Sequence, residues 1–278
     1  FTHVVVPVMA LGYILIALLV MAANYEKIPA MFSLIIDSAF GFDAGYGAII
    51  GMAIQWGVKR GIYSNEAGQG TAPHAAAAAE VAHPAKQGLV QAFSVYIDTL
   101  FVCTATAFMI LLTGLYNVQG PDGVMLYTGL AGVEAGPIYV QSAFETILPG
   151  LGASLLAISL FFFAFTTILA YYYIAETNVT YINRAVHRPW LMLFLKWLVL
   201  TSVMYGGIKS ADLAWALGDV GVGAMAWLNI VAILILQRPA LLALKDYETQ
   251  LKDGVDPVFD AEDVGIENAD FWVKSKTE

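Results

Sequence analysis

One segment, Ala39–Trp56, constrains the chain more than any other. It reads Ala-Phe-Gly-Phe-Asp-Ala-Gly-Tyr-Gly-Ala-Ile-Ile-Gly-Met-Ala-Ile-Gln-Trp and is long enough to cross a bilayer as a helix. Yet it holds Gly41, Gly45, Gly47 and Gly51, with Asp43 among them. Each glycine weakens a helix by about 1 kcal/mol relative to alanine, so this spacing invites a local break. Broken backbone at membrane depth survives only where it lines a cavity or is covered by protein. In transporters such interruptions present amides and carbonyls to substrate and ion. Close helix–helix packing through small residues is the other reading, and spacing alone leaves both open.

The rest of the chain is equally apolar. It is 59% hydrophobic and 13% charged, with a mean hydropathy of +0.70. A soluble chain carries charge on about a quarter of its residues, so this one is read as a membrane protein. Six apolar windows mark candidate spans at 4–23, 40–56, 88–114, 148–173, 190–205 and 213–236, within a transmembrane region over 1–238. Lys59, Arg60 and Lys86 follow the second window, Arg184 and Arg188 the fourth, and Arg238, Lys245 and Lys252 the sixth. The opposite connections hold only Lys27 and Lys209. The positive-inside rule therefore predicts that Phe1 and the C-terminal tail are cytoplasmic. The tail, 239–278, has ten acidic and four basic residues and reads as a solvated, partly disordered end. The connection from Leu115 to Ile147 is rich in glycine and reads as an exterior solvated linker. The start at Phe1, inside an apolar run and without the basic start of a signal peptide, is read as a truncation. The single cysteine, Cys103, excludes an internal disulfide and a cysteine-built metal site.

Several polar residues stand inside these spans. A carboxylate such as Asp98 costs about 2.5–3.5 kcal/mol at the centre of a membrane helix and is a functional candidate by default. With Thr99, Thr104 and Thr106 it makes a polar path, or it anchors a neighbouring helix. Thr166 and Thr167 sit together in the aromatic run Phe161–Tyr173. Each can satisfy itself on a carbonyl four residues back, or offer oxygen to a hard cation. Asp37 and Asp43 read as aqueous-facing helix-entry residues, and Asp219 cannot be ranked. The run Gly68-Gln-Gly-Thr71 lacks the lysine of a phosphate-binding loop. It reads as a turn before an alanine-rich helix, capped by Ser64-Asn-Glu66, with His74 and His83 structural.

Three motifs carry a resemblance: Gly57-Val-Lys-Arg-Gly-Ile-Tyr-Ser-Asn-Glu-Ala-Gly-Gln-Gly-Thr-Ala-Pro73, His83-Pro-Ala-Lys-Gln-Gly-Leu-Val90 and Tyr96-Ile-Asp-Thr-Leu-Phe-Val-Cys-Thr-Ala-Thr-Ala107. With Phe163-Ala-Phe-Thr-Thr-Ile-Leu169 they make the chain resemble the sodium:alanine/glycine symporter family over all but its last thirty or so residues. The resemblance implies an all-α multi-span bundle, the later part of a LeuT-type inverted-repeat transporter with a broken helix. It implies sodium-coupled symport of a small neutral amino acid, alanine or glycine, across the cell (plasma or inner) membrane. Sodium would be the coupling ion, with no other cofactor, no enzymatic activity and no nucleic-acid partner. By the same match Gly41, Phe42, Gly45, Tyr46, Gly47, Thr167 and Tyr171 would hold the substrate, and Thr166, Thr167 and the carbonyl of Phe163 the sodium. Many members of the family have tryptophan at the position of Tyr171. Proton coupling and an ion channel are the alternatives. No inverted repeat is visible within the chain itself.

Overall fold

The computed structural model describes residues 2–40, 46–119, 124–184, 186, 188–209 and 211–272. The chain forms two compact units, one of Phe1–Ser64 with Tyr96–Tyr173, the other of Asn65–Val95 with Ile174–Glu278.

The first unit opens with α1, Thr2–Ala23, almost wholly apolar, as a membrane span must be. A 3₁₀ turn at Tyr25–Lys27 leads to α2, Ile28–Phe40, and α3 runs from Tyr46 to Ser64. Among the described residues α3, though 19 residues long, is not apolar enough for a candidate span; five other helices are long and apolar enough, beginning at Val4, Pro84, Gly152, Pro189 and Leu213. The chain is therefore an all-α, multi-pass membrane bundle, with one small hairpin among the described residues. The expected break at Gly41–Gly47 falls largely on 41–45, outside the described residues.

The span beginning at Pro84 has three parts. α5, Pro84–Ile97, passes into a π-helical turn at Asp98–Cys103, then into α6, Thr104–Thr113. Two threonines patch the widened backbone. The Thr104 hydroxyl donates to the Thr99 carbonyl at 3.1 Å, and the Thr106 hydroxyl to the Val102 carbonyl at 3.1 Å. Gly114 closes α6 in the left-handed conformation, a frequent helix C-terminal signal.

The connection 115–147 corrects the expectation of a solvated linker. β1, Asn117–Gln119, pairs antiparallel with β2, Met125–Thr128. The Asn117 amide donates to the carbonyls of Leu130 and Val133 and accepts from the Leu130 amide, which clamps the end of the loop. Gly129 is required there, because a Cβ would stand 2.0 Å from the Gly114 carbonyl oxygen. α7, Ile138–Glu145, then buries Tyr139, Val140, Ala143 and Phe144. Val140, Ala143 and Phe144 join Tyr13, Ala17 and Val20 of α1, Ala105 and Met109 of α6, and Leu156 in the core of this unit. Composition hid this because α7 is only eight residues long and its apolar run is interrupted in sequence by Gln141 and Ser142. The Glu145 carboxylate accepts from the amides of Gly150 and Ala153 and so caps α8, Gly152–Ile182.

In the second unit, the loop after Ser64 carries three left-handed residues, Glu66, Gly68 and Gly70. A Cβ at Gly70 would stand 3.0 Å from Asn229 Oδ1. The Thr71 hydroxyl donates to the Glu66 carboxylate, and the Asn229 amide to the Gly68 carbonyl at 3.1 Å. The expected cap by Ser64-Asn-Glu66 does not form: Asn65 accepts from the Ala67 amide at 2.9 Å within the loop, and the Ser64 hydroxyl goes to Asp98. α4, Ala72–Ala77, starts only after Thr71, without a side-chain cap, and is shorter than its alanine-rich sequence suggests. α9, Pro189–Ile208, and α10, Ala211–Lys252, complete the spans.

The sequence after Pro239 corrects another expectation. α10 continues through Pro239 to Lys252, and the segment beyond is packed. Phe259 and Ala261 bury themselves with Ala243, α11 covers Ala261–Val264, and the Phe259 amide donates to the Ala82 carbonyl at 3.0 Å. Buried His83 lies beneath, edge-on to Tyr247 and Phe259. Its Nδ1 accepts from the Ala85 amide at 3.1 Å, which makes Nε2 the protonated nitrogen that donates to Asp246 at 3.2 Å.

Candidate functional site

A cavity of about 350 Å³ lies in the first unit, where α1, the π turn, α7 and α8 meet. Tyr13, Asp98, Thr106, Ser159 and Phe163 supply its polar and aromatic lining. A carboxylate and three hydroxyls thus converge in an otherwise apolar pocket at membrane depth, a pattern typical of small-ligand sites.

The hydroxyl chemistry follows from proton counting. The Thr106 hydrogen is committed to the Val102 carbonyl, so in the 2.7 Å contact between Tyr13 and Thr106 it is Tyr13 that donates. The Tyr13 oxygen keeps its lone pairs. Its ring is held edge-on to Phe144 and Phe163, each with centroids 6.0 Å apart. Asp98, half-buried at the first position of the π turn, accepts from the Ser64 hydroxyl at 2.7 Å. The Cys103 thiol lies 3.0 Å from Ser64 Oγ and 3.7 Å from Asp98 Oδ2. The helix-anchoring role expected for Asp98 is therefore present, since it ties the last residue of α3 to the π turn. Of the four residues in the expected polar path, Asp98 and Thr106 reach the cavity lining; Thr99 and Thr104 do not.

The residues expected on α8 are placed as follows. Phe163 lines the cavity, and its carbonyl accepts weakly from Thr166 Oγ1 at 3.2 Å. The main bond of that hydroxyl goes to the Phe162 carbonyl at 2.8 Å. This leaves the Thr166 oxygen lone pairs unspent. Thr167 is exposed and Tyr171 half-buried. Ser159, Phe163, Thr167 and Tyr171 are spaced by four and form one stripe along α8. Tyr46 and Gly47 are the first two residues of α3. Gly41, Phe42 and Gly45 lie outside the described residues. Sequence reasoning missed Tyr13, Ser64 and Ser159; Tyr13 was signalled as an isolated hydroxyl in the apolar run of α1.

A second cavity, about 570 Å³, lies in the other unit. Gln69, His74, Asn178 and Asn229 break an apolar wall from α8 and α10, and the Asn178 amide meets His74 Nδ1 at 3.3 Å. Among the described residues no cluster of three or more His, Cys, Asp or Glu side chains could hold a metal.

The family model described as the Sodium:alanine symporter family matches residues 1–261. This chain belongs to that family. The protein YrbD of Bacillus subtilis (strain 168) is 62% identical over 275 residues, covering 99% of this chain and 57% of its own. A sodium/proton-dependent alanine carrier protein of Bacillus sp. (strain PS3) is 57% identical over 97% of this chain and 61% of its own length. The amino-acid carrier protein AlsT of Bacillus subtilis (strain 168) is 38% identical over the whole of this chain and 56% of its own. The chain thus spans a little over half the length of the curated relatives it matches. Its family is one of transporters, not enzymes.

Proposed function

We propose that the chain forms the later portion of a sodium-coupled symporter for a small neutral amino acid, alanine or glycine. The single observation that carries this is the family membership over residues 1–261. The name of the PS3 relative supports alanine as substrate and keeps proton coupling as the second reading. The fold would be the LeuT-type inverted repeat, with its broken helix at Gly41–Gly47. Both ends of the chain would be cytoplasmic, on the argument from basic residues.

In this reading the substrate's charged ends are held by backbone groups at Gly41, Gly45 and Gly47, beside the rings of Phe42 and Tyr46. Thr167 and Tyr171 wall the pocket from α8. Thr166, Thr167 and the Phe163 carbonyl hold sodium. The back-bonded geometry of Thr166 supports this assignment, because a hydroxyl whose proton is spent inward presents oxygen outward. Alternating access then moves this oxygen surface between the two aqueous faces.

Radiolabelled alanine uptake into proteoliposomes by a full-length carrier containing this chain tests the reading. Accumulation beyond equilibrium is expected only under an inward sodium gradient. Accumulation driven equally by a proton gradient in choline would support the second reading instead. Thr166→Val and Thr167→Val each remove an oxygen at nearly constant volume. Each is expected to raise the sodium concentration for half-maximal uptake about tenfold, equivalent to about 1.4 kcal/mol of binding. Unchanged sodium dependence in both variants would remove the α8 threonines from the ion site.

A further inference from the structure

We propose that the groove between the end of α9 and the start of α10 is a binding site for an anionic phospholipid. The phosphate sits at Lys209, and one acyl chain lies along the wall that the two helices form. The site does not depend on what the carrier moves.

The cavity holds about 620 Å³ and lies wholly within the second unit. At its mouth is Lys209, just past the end of α9 and the one charged side chain of the lining. Its ammonium stands 5.5 Å from the centroid of the Tyr205 ring, and among the described residues no carboxylate pairs with it. The Tyr205 hydroxyl adds a second donor beside it. A lysine that ends a membrane helix carries its charge to headgroup level, and tyrosine favours the same depth.

The body of the groove has the opposite character. Two turns of helix, about 11 Å, separate Thr201 from Lys209. The Thr201 hydroxyl donates to the Trp197 carbonyl at 2.8 Å, and the Ser202 hydroxyl to the Leu198 carbonyl at 2.7 Å. Their protons are spent inside α9, so neither needs a partner from a ligand. Ala214 and Leu217 of α10 form an apolar wall beside them. A Cβ at Gly206 would meet nothing within 4 Å, so packing within the chain does not require glycine there, and its absent side chain leaves the groove wide. Both helices are long and apolar enough to cross a membrane, with only 6% and 0% of their spans buried in the chain, so the groove opens toward lipid.

Charge complementarity then selects the occupant. A cation over an apolar body matches an anionic amphiphile, whereas a free anion would leave the body unfilled. The lining offers no carboxylate to a cationic headgroup, which favours an anionic lipid over a zwitterionic one. Once bound, the lipid touches both helices and splints α9 to α10.

The experiment uses a full-length carrier in mixed micelles with phosphatidylglycerol that carries a photoactivatable diazirine on one acyl chain. Peptide mass spectrometry locates the label. Labelling is expected to concentrate within 201–218, to saturate, and to yield to unlabelled phosphatidylglycerol. Lys209→Gln should raise the half-saturating concentration about fivefold, the worth of one lysine at an anionic lipid surface, and Lys209→Arg should restore it. Gly206→Leu fills the groove from a position with open space and should suppress the label without lowering the thermal midpoint in lipid-free detergent. Equal labelling by a matched phosphatidylcholine probe would mean bulk lipid only and overturn the proposal. Competition by inorganic phosphate would mark a free-anion site and overturn it as well. So would absence of label from 201–218, which would place another part of the full-length carrier in the groove, or labelling unchanged in both Lys209→Gln and Gly206→Leu. Should Lys209→Gln fail to accumulate, Gly206→Leu decides: suppressed labelling supports the site, unchanged labelling overturns it.

Discussion

Phe144→Ala is expected to destabilise the first unit by about 3–5 kcal/mol, the ordinary cost of emptying a large aromatic site in a close-packed core. Phe144 is fully buried and belongs to the cluster that joins α7 to α1, α6 and α8. Its ring also braces Tyr13, centroid to centroid at 6.0 Å. Loss of the ring therefore loosens a wall of the Asp98 cavity as well as the core. Thermal unfolding of a full-length carrier in detergent should show a lower midpoint, and sodium-dependent uptake should fall with it. A midpoint equal to the unmodified protein would mean that α7 does not dock in the membrane as described. Phe144→Leu keeps most of the apolar volume and is expected to retain more of the stability.

His83→Ala is expected to cost about 3 kcal/mol in the second unit. The ring is fully buried and does three things at once. It caps the first turn of α5 through the Ala85 amide, donates to Asp246 of α10, and packs edge-on to Tyr247 and Phe259. Alanine leaves an amide and a carboxylate without these partners and opens a void under Phe259. Asn at this position can still accept from the amide two residues on, as capping asparagines do. His83→Asn should therefore recover about 1 kcal/mol of the loss. Limited proteolysis of the segment after Lys252 provides a second readout. Cleavage there should accelerate in His83→Ala, because the Phe259 amide bond to the Ala82 carbonyl and the Lys86–Asp256 pair at 2.8 Å close the same contact. Equal cleavage rates would mean the segment is held without the histidine.

The membrane class and most of the helices were legible in the sequence for a simple reason. A chain in a bilayer must satisfy its backbone internally, so apolar length translates directly into helix. The windows 4–23, 88–114, 148–173, 190–205 and 213–236 each correspond to an observed helix, with α8 and α10 running well past the expected ends. Those extensions are amphipathic or polar, and hydropathy cannot extend a span into them. Pro239 does not end α10 either. Its missing amide weakens one turn of α10, but the packing of Ala243, Asp246 and Gln250 beyond it holds the helix together.

Residue types alone marked Asp98, Thr106, Thr166 and Thr167 as chemically out of place in a membrane helix. The sequence could thus name the unusual groups. It could not say which groups meet. Periodicity carries no signal for one inserted residue, so the π turn that aims Asp98 at Ser64 was invisible. The joining of Tyr13 to Thr106 spans more than ninety positions of chain and depends on how α1 packs on α6. A local pattern determined the class of structure and the list of candidate groups; contacts between distant segments decided which of those groups form a site.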